Sequence, residues 1–136
     1  MDRLNEALAV CDAKNIVHFI GKMMNLNNES MKSYSFLQDM YRDDYFPNFL
    51  VDKIKALLVS LCEDIERTKP STDESLLILT HATTEKINDL EEEFDENDSE
   101  LETGARESMA EDFEFIVRTY GFKDIDLEDV IAPRDW

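Results

Sequence analysis

The residues best suited to chemistry are His81 and the polar side chains that share its helix face. His81 opens the string HATTE, so Glu85 falls at i+4. At that spacing a carboxylate can orient an imidazole, pair with it, or join it as a second metal ligand. Thr80, Thr83, Thr84, Asn88 and Glu92 lie on or beside that face, so a polar cleft could form around the histidine. Arg106 stands further on, in ETGARES, as the one basic residue between Lys86 and Arg118. The candidate binding set is His81, Thr84, Glu85, Asn88, Glu92, Glu96, Arg106, Glu111 and Asp112. Each has a plainer role. His81 and Glu85 would form a boundary pair that stabilises a helix, and the threonines and Asn88 would bond to backbone or neighbouring helices. Arg106 would be a partly buried, charge-paired side chain holding its helix against another.

Several activities are excluded by spacing. A di-iron bundle needs Glu-x-x-His on two helices, but Ile78 precedes His81 and Asn15 precedes His18 at that interval. The run from Asp95 to Glu100 resembles a calcium loop only at its start. Position 6 is Glu100 instead of Gly, and position 12 is Arg106 instead of Glu. No G-x-S-x-G or HExxH occurs, and three scattered glycines make no phosphate-cradling loop. Cys11 and Cys62 sit in apolar helical patterns and read as reduced core residues. The expectation is a chain without cofactor or metal that works by binding rather than by catalysis.

Charge points the same way. The 136 residues include 32 acidic and 14 basic side chains, a net charge of −18. That balance disfavours direct contact with nucleic acid or an anionic membrane, since both require clustered Lys and Arg. No apolar run is long enough to span a bilayer and no secretion signal is visible, so a cytoplasmic location is expected. The acidity is concentrated: residues 89–114 hold 13 acidic side chains and one basic, a net of −12. Leu90, Phe94, Leu101, Ala105, Met109 and Phe113 recur at helical spacing within that stretch, so it reads as a folded element with a charged exterior.

The elements follow from periodicity near 3.6 and the scarcity of Gly and Pro, three of each. One kinked or two short helices fit residues 2–26, followed by a polar connector from Asn25 to Ser30. A helix is expected over about 32–43. The next starts near Pro47 and runs to about Arg67, burying Leu50, Ile54, Leu57, Leu58, Leu61 and Ile65. Lys69–Pro70 breaks the chain, and Ser71 with Glu74 offers a capping box. Leu76, Thr80, Thr83, Ile87, Leu90 and Phe94 then form one heptad seam. Ser99 and Glu102 offer a second box after a break at Asn97–Ser99. The following helix uses Leu101, Ala105, Met109, Phe113, Ile116 and Tyr120 and stops at Gly121. Asp126 can cap a last helix, Leu127–Ala132, and Trp136 would dock on the core edge. The expected fold is all-α, a compact bundle of about five to six helices with short loops, in one domain over 1–136.

The strings YFPNFLVDKIK (Tyr45–Lys55), LTHATTEKINDLEEEFDENDSELET (Leu79–Thr103), AEDFEFI (Ala110–Ile116) and IAPRDW (Ile131–Trp136) resemble a bacterial family of small acidic proteins, "domain of unknown function 5713". The resemblance covers about residues 31–136 and makes residues 1–30 a helical extension before the core. It implies a helical domain and supplies no activity, substrate or catalytic residue. Two classes of function remain. The first is a protein-binding module whose acidic surface meets a basic partner, as an immunity protein or inhibitor does, or as a mimic of nucleic-acid phosphates. The second is a small enzyme or ligand-binding domain centred on His81, Glu85, Asn88 and Arg106. Neither specifies an oligomeric state.

Overall fold

The computed structural model describes residues 26–136, and every described element is a helix or a loop. The expected helices over residues 2–26, with Cys11 and His18, lie outside the described residues except for Leu26, a buried loop residue. The described helices are α1 (Glu29–Lys32), α2 (Gln38–Arg42), α3 (Asn48–Thr68), α4 (Asp73–Asn88), α5 (Glu91–Glu96), α6 (Thr103–Thr119) and α7 (Leu127–Val130). The all-α expectation is met.

The long helix α3 is the core. Leu50, Val51, Ile54, Leu58, Leu61, Cys62 and Ile65 are buried along it, each large apolar side chain contributing about 1.5–3 kcal/mol. It begins directly after Pro47, whose fixed φ suits a helix start, and ends at Lys69 in the left-handed region. The helix α4 packs along α3, while α6 packs against α1, α2 and α7. Glu66, near the end of α3, accepts from the Tyr120 hydroxyl at 2.5 Å and from the backbone N–H of Asn27 and Asn28. One carboxylate thereby gathers the end of α6 and the entry to α1. Burial works to raise its pKa, but these bonds outweigh it and the net shift is downward.

Two helix caps move from their expected positions and two are as expected. The box at the start of α4 is Thr72 with Ser75, not Ser71 with Glu74. Glu102 caps α6 itself by accepting from Gly104 N–H at 2.7 Å, and Ser99 instead donates to the Tyr45 carbonyl at 2.8 Å. Gly121 takes φ +102°, a conformation costly for any side-chain-bearing residue. Asp126 caps α7 through Glu128 N–H.

One expected helix divides and another shortens. The seam from Leu76 to Phe94 is interrupted at Asp89–Leu90, between α4 and α5, although Leu76, Thr80, Ile87 and Phe94 stay fully buried. The expected helix over 32–43 shrinks to α2, whose N-cap Leu37 takes φ 53°, ψ 38°, while the one-turn α1 begins inside the expected connector at Glu29 and ends at Lys32. A left-handed leucine costs roughly 1–2 kcal/mol, so something outside the local sequence must hold it.

Candidate functional site

The His81 face is occupied by the chain's own last residues. His81 Nε2 donates to the Asp129 carbonyl at 2.6 Å. Asn88 donates to the Pro133 carbonyl and accepts from Asp135 N–H, both at 2.9 Å. These bonds seat residues 129–136 against α4 and leave Trp136 buried, its indole Nε1 without a hydrogen-bond partner among the described residues. Thr80, Thr83 and Thr84 bond back to the carbonyls of Leu77, Leu79 and Thr80, the ordinary habit of threonine inside a helix. Glu85, Glu92 and Glu96 are exposed. No described cavity joins His81, Glu85, Asn88 and Arg106.

Arg106 corrects the expectation of a buried, paired arginine. It is exposed and makes no ion pair among the described residues. Phase does not account for this, because Arg106 lies three residues before Met109 and seven before Phe113, both buried; it is the fourth residue of α6, at the solvent-facing start of the helix. Arg106→Ala is therefore expected to change unfolding free energy by no more than about 0.5 kcal/mol in a urea titration. A larger loss would return the residue to a structural role.

The acidic stretch is folded and mostly uncompensated. It spans α5, the loop 97–102 and most of α6. Its exposed carboxylates are Asp89, Glu92, Asp95, Glu96, Asp98, Glu100, Glu102, Glu107 and Glu111. Only Glu93, with Lys53 at 2.7 Å, and Glu114, with Arg118 at 2.8 Å, form ion pairs among the described residues. Glu91 shows the crowding. Burial first, then the charge of Asp135, raises its pKa. Tyr45 is 42% exposed and lies in electrostatic reach of Glu100 and Glu102, which places an aromatic ring beside the acidic loop.

Asp112 is the exception within that stretch. It is 2% exposed and sits where α6 meets the α1–α2 loop. Its Oδ1 accepts from the Tyr34 hydroxyl at 2.6 Å, and its Oδ2 accepts from Leu37 N–H at 2.7 Å. The second bond is what holds Leu37 left-handed. The Tyr34 ring stacks on Phe115 with centroids 4.2 Å apart and planes 8° apart, and meets Phe36 edge-on. Beside this cluster runs an open groove of about 1050 Å³, bordered by Ser33, Tyr34, Gln38 and Asp39 on one side and by Glu111, Phe115 and Arg118 on the other. Thus Glu111 and Asp112 meet in one groove, while His81, Thr84, Glu85 and Asn88 belong to another side of α4.

Sequence reasoning missed Tyr34 and the burial of Asp112. The signal for the latter was present: Asp112 lies three residues after Met109 and four before Ile116, in phase with the apolar stripe. The same habit recurs, since Tyr41 donates to Asp52 at 2.5 Å and Tyr120 to Glu66. Three of the four tyrosines are thus tied to carboxylates elsewhere in the chain.

Among the described residues no group of His, Cys, Asp and Glu is arranged to hold a metal ion, and no helix is long and apolar enough to cross a membrane. Residues 30–136 match the Family of unknown function (DUF5713), and the chain belongs to that family. No curated protein and no solved structure matches it.

Proposed function

We propose that this member of a family of unknown function is a binding module that docks a protein of basic surface on the face formed by α5, the loop 97–102 and the outer side of α6. The observation that carries this reading is the row of exposed carboxylates without cationic partners among the described residues, on an element anchored to the core. Unneutralised charge at this density is unfavourable for the isolated fold, because like charges repel across neighbouring turns. A basic partner relieves that repulsion, and its approach is accelerated by opposite potentials. Tyr45 supplies what carboxylates lack, an exposed aromatic side chain of the kind that anchors interfaces. The partner class includes basic nucleases, toxins and nucleic-acid-binding proteins, whose active surfaces are shaped for phosphate.

Affinity capture from the source organism tests this, using the wild-type chain and a Glu92→Lys/Glu96→Lys/Glu107→Lys variant at low and moderate salt. The expected result is a basic protein retained by the wild type, lost on adding salt and lost in the variant. Retention that ignores both changes would end the proposal. The reading around His81 and Glu85 gains no support from a histidine already bonded to Asp129.

A further inference from the structure

The Asp112 contact has no use in the docking face, because the carboxylate points inward. It nevertheless lies at one border of the large groove. Tyr34 and Leu37, 78 and 75 residues earlier in the chain, are both tied to it, and the left-handed Leu37 relies on it. We propose that Asp112 is a proton-operated latch that fastens the α1–α2 loop to α6 and so sets the opening of the groove beside it.

The mechanism follows from the groups around the carboxylate. From the α1–α2 segment it faces Tyr34 and Asp39, from its own helix Glu111, and from α3 the buried Cys62. Along the groove stand Glu114, Arg118 and Lys123, but Arg118 is engaged by Glu114 and by the Lys123 carbonyl. No cation pairs with Asp112 among the described residues. Its charge is therefore buried with two hydrogen bonds and no counter-ion. When a proton binds, Oδ1–H can donate to the Tyr34 oxygen while Oδ2 still accepts from Leu37 N–H. Tyr34 is half-buried, so its own hydrogen can turn to solvent. Protonation thus keeps both bonds and removes the buried charge.

The direction of the pH effect is fixed by this. Burial outweighs the bonds from Tyr34 and Leu37 and pushes the carboxyl up from 3.8 to about 6, with Glu111 and Asp39 adding to the rise. The closed latch therefore holds the proton more tightly than an opened, solvated Asp112. Its extra stability is complete below about pH 4 and is lost as pH rises through about 6. A separation near two pH units makes the closed-to-open ratio fall on the order of a hundredfold across that window. Acid tightens the loop and neutral pH loosens it.

Hydrogen exchange of the Leu37 amide, corrected for intrinsic rate, reads the latch on the full chain from pH 4 to 7, with Leu58 in the centre of α3 as reference. In the wild type, Leu37 protection is expected to fall about a hundredfold relative to Leu58. Asp112→Asn imitates the protonated acid, its oxygen accepting from Leu37 N–H and its NH₂ donating to Tyr34. Protection in that variant should stay at the acid level throughout. Tyr34→Phe gives an independent check, since losing a donor to the carboxylate should move the transition to higher pH. Leu37 protection that tracks Leu58 at every pH, or a transition that survives Asp112→Asn or ignores Tyr34→Phe, would overturn the proposal.

Discussion

Phe94→Ala should lower the unfolding free energy by about 3–5 kcal/mol, the cost of removing a fully buried phenylalanine and leaving a cavity. Phe94 is 0% exposed and is the one buried side chain of α5. Its neighbours Glu92, Asp95 and Glu96 face solvent, and Leu90 is only half-buried. The Phe94 carbonyl also accepts from Asn97 and Ser99 N–H, so the ring and its backbone together set the turn into the acidic loop. Urea unfolding measures the loss, and hydrogen exchange should show residues 90–100 losing protection before the rest. Ile78→Ala is the control: Ile78 is 71% exposed, and its loss should stay within about 0.5 kcal/mol. A Phe94→Ala cost below about 1 kcal/mol would mean that the acidic helix is not anchored through this ring.

The second large effect is asymmetric. Lys53 lies on α3 with its side chain 10% exposed, and both oxygens of Glu93 accept from its Nζ, at 2.7 and 2.8 Å. Glu93 is the more accessible partner at 32%. Glu93→Ala leaves an ammonium buried without a counter-charge and is expected to cost about 3 kcal/mol. Lys53→Met replaces the stem with an apolar chain of similar length and leaves Glu93 free to turn toward water. That variant should lose less than about 1 kcal/mol. Denaturant unfolding of both variants at one pH decides the matter. Equal losses would show that the attraction itself, rather than the stranded lysine, sets the energy. The arrangement also means that α5 is fastened twice, by a ring and by an ion pair, although its surface is almost wholly acidic.

What could be read from the sequence was what local spacing controls. The stripes of α3 and α6, the stop at Gly121 and the cap at Asp126 depend on residues within a turn or two of each other. What could not be read depended on distant partners. Leu37 is an ordinary helix residue by type, and only Asp112, 75 residues away, explains why it is left-handed and why the expected helix over 32–43 starts no earlier than Gln38. His81 and Asn88 presented a plausible polar face, but the groups that occupy it, the carbonyls of Asp129 and Pro133, carry no side-chain signature. Arg106 was misjudged for a simpler reason. Its helical phase, three residues before Met109 and seven before Phe113, fits a packed side chain, but its place in the first turn of α6 leaves it in solvent. Asp112, deeper along the same helix, is an acidic residue whose phase does place it inside.

Most of the net charge thus belongs to a helical face held to the core by Phe94 and the Lys53–Glu93 pair. The proposed function requires that this face, and not acidity in general, meets a basic partner. The direct measurement is the association rate constant of the captured basic protein with three chains: wild type, Glu92→Lys/Glu96→Lys/Glu107→Lys, and Asp44→Lys/Glu74→Lys/Asp124→Lys. The last two carry equal net charge, and all six positions are exposed. The account predicts that reversal on the face slows association by at least about tenfold at low salt, while the control reversals slow it far less. Equal slowing by both variants would contradict it, because the charge would then act through its total and not through its place.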